Sequence, residues 1–260
     1  VEDRFGVTLP EVSLVELNSA RELWQAAAAA KAGRLGMIPR ADVASRVAPG
    51  SPASAQTLLD VLRWHAEQRG ARRYVTFFED HGDGPTLSFG ELYARSSETA
   101  AGLQAAGIEP GERVALMLPT SQDYFFAYFG TLLAGAVPVP IYPPLRRSEI
   151  GDHMRRQRSV LDNAGAAMLI TVPEARNIAR LSRAMVPSLR DIRCVEDLAG
   201  NPAQLQHVAR RPEDIALLQY TSGSTGTPKG VILSHANLLA NIRGASRGVQ
   251  ATGEDVFVSW

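Results

Sequence analysis

Lysine is nearly missing from this 260-residue chain: Lys31 and Lys229 stand beside 25 arginines. A lysine kept in so arginine-biased a sequence marks a place where a compact, flexible ammonium suits better than a planar fork. Cysteine is scarcer still. Cys194 is the only one, which excludes an internal disulfide framework and any metal site built from several thiolates. The five histidines show no ligand spacing, so no protein-bound metal is expected. An excess of either charge is also lacking, because 27 basic residues balance 27 acidic ones. Nothing therefore draws the chain as a whole to nucleic acid or to an anionic membrane. No apolar stretch reaches the roughly 18 residues of a membrane span, and the N-terminus lacks the pattern of a secretory signal. What remains is an α/β composition with 45% apolar residues, enough for a sizeable core and expected in the cytoplasm.

Asn18 to Lys31 reads as one alanine-rich helix, capped by Asn18 or Ser19 and ended near Gly33. Residues 1–31 are too short for a core of their own. Residues 32–56 are rich in Gly, Pro, Ser and Ala and read as a linker. The main domain is expected over 57–260. Leu58, Leu59, Leu62 and Ala66 recur at helical spacing, Tyr74–Phe78 reads as a strand, His81–Pro85 as a turn and Leu87-Ser88 as a short partner strand. Helices at 90–106, 122–133, 152–164 and 174–185 then alternate with strands at 113–118, 137–142, 167–172 and 192–195. That alternation is the pattern of crossover helices covering a mostly parallel sheet. Pro138 and Pro140 remove ladder donors, so their strand is expected at a sheet edge or ends early. Asn163-Ala-Gly165 should stop a helix through positive φ. Val1 at one end and the unpunctuated run 255–260 at the other are read as cut ends.

One stretch carries sharp chemistry. A strand-like run, 216–220, leads into Thr221-Ser-Gly-Ser-Thr-Gly-Thr-Pro-Lys-Gly230, and Val231–Leu233 resumes an extended run before Ser234 caps a helix. Gly223, Gly226 and Gly230 remove bulk, Ser222, Ser224, Thr225 and Thr227 offer hydroxyls, and successive N–H groups can form an anion-binding nest. Lys229 adds the point charge. Pro228 before it and Gly230 after it depart from the Gly-Lys-Ser/Thr ending of a P-loop, so that helix-capping cradle is not assumed. The residues alone leave two readings: a phosphate or nucleotide site, or an ordinary polar surface loop.

Thr221 to Val231, with Leu218-Gln-Tyr220 before it and Ser234-His-Ala-Asn-Leu238 after it, resembles the AMP-binding signature of the adenylate-forming superfamily. Residues 57–260 resemble the beginning of that family's large N-terminal domain. The resemblance thus implies an incomplete α/β domain with mostly parallel sheet layers. Gln219-Tyr220, Phe77-Phe-Glu-Asp80 and Val139-Pro-Ile-Tyr-Pro-Pro144 look most like the fatty acyl-AMP ligase and long-chain acyl-CoA synthetase branch. For the parent protein this implies joining a fatty acid to the α-phosphate of ATP with Mg2+, release of pyrophosphate, and transfer of the acyl group to a phosphopantetheine thiol. Thr221, Ser222, Gly223, Ser224, Thr225, Gly226, Thr227, Lys229 and Gly230 would hold the β- and γ-phosphates. Thr221, Ser222, Ser224, Thr225 and Lys229 would act in catalysis, Lys229 by phosphate stabilisation only. An acyl-CoA synthetase, an amino-acid adenylation domain and a non-catalytic nucleotide-binding scaffold remain alternatives. The family's adenosine-binding motifs and C-terminal lysine are not in this sequence, so the chain alone is expected to be incomplete for catalysis. Residues 1–31 resemble the second half of an acyl carrier protein domain whose modified serine would precede Val1. This implies a carrier domain in cis or trans, and polyketide or lipid biosynthesis proteins, as partners.

Other residues have plainer readings. His235 is expected to satisfy backbone groups at a helix start. Arg146, Arg147, Arg155, Arg156 and Arg158, interleaved with Glu149 and Asp152, read as a solvated face. Tyr124, Phe125, Phe126, Tyr128 and Phe129 are expected to pack on the sheet rather than line an acyl pocket.

Overall fold

The computed structural model describes residues 52–79, 82–142, 150–221 and 228–259, all within a unit running Ala48–Trp260. Residues 1–51, with the helix and carrier resemblance expected over 1–31 and most of the linker expected over 32–56, lie outside the described residues. Helix α1 (Leu58–Arg69) starts where the Thr57 hydroxyl accepts a bond from Asp60 N at 3.1 Å and the Asp60 carboxylate accepts one from Thr57 N at 2.8 Å. This reciprocal cap satisfies two donors that helix geometry leaves open. Strands β1 (Arg73–Glu79) and β2 (Gly82–Ser88) form an antiparallel hairpin. The sequence suggested a turn through Pro85, yet β2 already begins at Gly82. Register shifts along the pair accommodate a stretch whose composition resembles a turn.

The remaining elements alternate as expected: α2 (Phe89–Ala105), β3 (Arg113–Met117), α3 (Gln122–Leu133), β4 (Val137–Pro140), α4 (Ile150–Ala164), β5 (Ala166–Thr171), α5 (Arg176–Arg183) and β6 (Asp191–Arg193). The four strands after the hairpin form one parallel sheet in the order β4-β3-β5-β6. β4, with its two prolines, lies at the sheet edge. The helix expected over 174–185 is divided into a 3-10 turn at Pro173–Ala175 and the shorter α5. β6 stops at Arg193, because Asp197 accepts the Cys194 N–H at 2.9 Å and a 3-10 turn, Val195–Leu198, begins there.

Alternation along the strands divides the core. Val114, Leu116, Met168 and Ile170 point to one side, where they pack with Leu92, Leu103, Phe126 and Leu132 of α2 and α3. Ala115, Met117 and Leu169 point to the other, against Val160, Leu161 and Ala179 of α4 and α5. Burial on both faces explains why these strands read as unbroken apolar runs. Helix α4 ends as its sequence indicates: Gly165 has φ +59°. The Arg113 guanidinium donates to the carbonyls of Ala164 at 2.7 Å and Gly165 at 2.9 Å, which ties the helix end to the start of β3. Among the described residues, no helix is long and apolar enough to cross a membrane.

Candidate active site

Strands β7 (Ile215–Thr221) and β8 (Lys229–Ser234) pair antiparallel, with Thr221 opposite Lys229 and Tyr220 opposite Gly230. The polar loop is therefore the connection of a hairpin, and its two ends are held by strand pairing. Ser222, Gly223, Ser224, Thr225, Gly226 and Thr227 lie outside the described residues. The flanks are informative on their own. A Cβ at position 230 would come within 3.0 Å of Tyr220 Cζ, so glycine lets the tyrosine ring lie across β8. The Tyr220 hydroxyl donates to Asn163 Oδ1 at 2.6 Å, which pins the loop's entry strand to the end of α4. Lys229 is exposed, and among the described residues no carboxylate lies within ion-pair distance of it.

A cleft of about 680 Å³ opens beside this hairpin. Its walls are Leu118, Pro119 and Thr120 just past β3, Pro140, Ile141 and Tyr142 at the end of β4, Tyr124 and Phe125 of α3, Gln157 and Val160 of α4, and Gln219, Tyr220, Thr221 and Pro228 of the hairpin. This position, beyond the carboxyl ends of parallel strands, is where open α/β sheets bind ligands. Among the described residues, none that lines the cleft is charged, and burial raises the pKa of Tyr124 and Tyr220, so both are neutral phenols at pH 7. The aromatic stripe of α3 packs on the core as expected, with Phe126 buried in it and Tyr124, Phe125, Tyr128 and Phe129 against it. Tyr124 and Phe125 also border the cleft, Phe125 with its ring against those of Tyr74 and Phe77. Tyr128 reaches the Ala216 carbonyl at 3.4 Å. Gln157 escaped the sequence reading. Its signal was a polar side chain on the same side of α4 as Val160, Leu161 and Ala164.

His235 opens α6 (His235–Gly248), is fully buried, and is not part of the cleft wall. Its bond is long-range rather than local: Nδ1 accepts the Leu58 N–H at 3.2 Å, joining the start of α6 to the start of α1. Burial, reinforced by Arg210, pushes its pKa down to about 4. The unfolded imidazole titrates near 6.5. His235 therefore contributes its full stability above pH 6.5, and that contribution is lost as pH falls through 4, approaching about 3 kcal/mol. Denaturant titrations of wild type and His235→Asn at pH 7.5 and 4.5 should show the wild type losing more stability on acidification. Equal losses would contradict this assignment.

Residues 62–260 match the family model described as AMP-binding enzyme. The chain belongs to this family. Among its AMP-binding relatives, the long-chain-fatty-acid–AMP ligase FadD32 of Mycolicibacterium smegmatis is 33% identical over 217 residues, covering 80% of this chain and 34% of that protein. The medium-chain-fatty-acid–[acyl-carrier-protein] ligase JamA of Moorena producens is 27% identical over 215 residues, covering 78% of this chain and 35% of that protein. A solved structure from work on fatty acyl-adenylate ligases of E. coli and L. pneumophila superposes with TM-score 0.72 at 29% identity, over 79% of this chain and 37% of that chain. This AMP-binding chain spans about a third of the length of the curated relatives it matches. Among its described residues, no group of three or more His, Cys, Asp or Glu side chains is placed to hold a metal ion.

Proposed function

We propose that the full-length protein activates a fatty acid as an acyl-AMP and passes the acyl group to the phosphopantetheine thiol of an acyl carrier domain. The observation that carries this reading is the hairpin beside the cleft. Thr221 and Lys229 stand at the base of the polar loop, next to a cleft whose described lining is largely apolar and whose volume suits a small-molecule chain. In this reading a carboxylate oxygen attacks the α-phosphorus of ATP, the bond to the bridging oxygen breaks, and pyrophosphate leaves with its Mg2+. Ser222, Ser224, Thr225, Thr227 and the N–H groups around Gly223 and Gly226 would hold the β- and γ-phosphates. Lys229, with no competing carboxylate among the described residues, would neutralise the charge that builds there. In the second step the thiol attacks the acyl carbon and AMP departs.

JamA, by its name, acts on an acyl carrier protein, and residues 1–31 resemble part of such a domain; both support the carrier as acceptor. The test supplies full-length protein with ATP, Mg2+ and a fatty acid, and offers CoA or a phosphopantetheine-loaded carrier at equal concentration. The expected product by mass spectrometry is acyl carrier. Efficient acyl-CoA formation without carrier acylation would overturn the acceptor assignment.

A further inference from the structure

Among the described strands, β7 and β8 pair only with each other, so the hairpin's place beside the parallel sheet depends on contacts that leave it. A two-stranded ribbon has little stability of its own. Away from the loop it is well tied: the Ile215 carbonyl accepts from Arg210 at 3.1 Å and the Ala216 carbonyl from Tyr128 at 3.4 Å. Toward the loop, Leu218 and Tyr220 pack against the core on the α4 side, but apolar packing is not directional. Among the described residues, the hydrogen bond that fixes this end runs from the Tyr220 hydroxyl to Asn163 Oδ1 at 2.6 Å.

The same ring reaches across to β8. A Cβ at Gly230 would lie 3.0 Å from Tyr220 Cζ and 3.2 Å from its hydroxyl oxygen, so the hydroxyl end rests on the backbone next to Lys229. Asn163 is not among the described residues of the cleft wall. The end of α4 does not require it either, because Gly165 at φ +59° makes the stop. Asparagine is a poor helix former, so its place in the last turn points to the bond it accepts. That turn is itself held, since Arg113 donates to the carbonyls of Ala164 and Gly165.

We infer that Asn163 is a positioning residue: by accepting the Tyr220 hydroxyl it sets the ring against Gly230, and so fixes where Lys229 and the polar loop stand beside the cleft. The inference rests on the acyl-adenylation reading above and gives that site a residue that the loop motif does not contain.

The test is acid-dependent ATP–pyrophosphate exchange by the full-length protein, with kcat and KM measured separately. Asn163→Leu nearly keeps the volume and removes the acceptor. It is expected to lower kcat about 10-fold, on a scale where misplacement by about 1 Å costs roughly 100-fold, and to leave the KM for the fatty acid nearly unchanged. Asn163→Asp retains an acceptor oxygen and should restore most of the rate. Tyr220→Phe keeps the ring without its donor and should show the same loss, and combining it with Asn163→Leu should add nothing further. Wild-type kcat in Asn163→Leu, a lowered melting temperature with unchanged exchange, or losses that multiply in the double variant would overturn the inference. Wild-type protein with no acid-dependent exchange would defeat the adenylation reading and the inference with it, whereas a variant that matches an active wild type defeats the inference alone.

Discussion

Lys229→Ala in the full-length protein is expected to slow fatty-acid-dependent ATP–pyrophosphate exchange by about 100-fold, the scale seen when one donor to developing transition-state charge is removed. Lys229 sits on β8 directly opposite Thr221, so its ammonium springs from the base of the polar loop on a paired strand. It is exposed, and exposed substitutions away from special contacts shift stability by roughly 0.5 kcal/mol or less. The loss should therefore appear in turnover and not in the melting temperature. Lys229→Arg keeps the charge but replaces a mobile point with a planar fork, and should recover only part of the rate. Undiminished exchange by a folded, ATP-saturated Lys229→Ala protein would remove the lysine from the phosphate site.

Gly102→Ala should damage folding rather than chemistry. Helix α2 crosses the end of the 3-10 turn Val195–Leu198 so closely that a Cβ at Gly102 would lie 2.1 Å from the Leu198 carbonyl oxygen and 2.5 Å from its carbon. Both are backbone atoms and cannot rotate away. One methyl group must push the helix off the turn and loosen the packing around Leu103 and Leu198, both fully or almost fully buried. Overpacking of this kind typically costs up to about 3 kcal/mol, and the rigid backbone on both sides places this site at or above that figure. Urea denaturation is the measurement. A change below about 1 kcal/mol would mean that α2 and the turn are not held at this separation.

Much of the fold was legible because its periodicity is strong. Leu58, Leu59 and Leu62 at helical spacing, the strands expected at 113–118 and 167–172, and the Asn163-Ala-Gly165 stop each follow from one local rule, and the structure has the strands at Arg113–Met117 and Ala166–Thr171 and the stop at Gly165. Pro138 and Pro140 likewise placed β4 at an edge. The misreadings occur where a tertiary contact overrides composition. β2 passes through Gly82 to Pro85 because β1 supplies its ladder. β6 ends early because Asp197 takes the next N–H.

At the site, the hairpin was visible in the motif and its flanking apolar runs. The cleft was not, because its walls come from segments spread between Leu118 and Pro228 that meet only after the parallel sheet assembles. The part of Tyr124 and Phe125 in the cleft wall was hidden for a similar reason, because both neighbour the buried Phe126 in sequence and pack against the same core.

If this hairpin and cleft serve the proposed acyl-adenylation, the full-length protein should join a fatty acid to AMP. The most direct measurement is a thiol-free incubation of full-length protein with ATP, Mg2+ and a fatty acid, followed by mass spectrometry of the enzyme-bound products. Acyl-AMP and pyrophosphate are expected in equal amounts, with neither formed when the acid is omitted. ATP cleavage to ADP and phosphate, or no acid-dependent product from a folded and nucleotide-bound protein, would contradict the proposal.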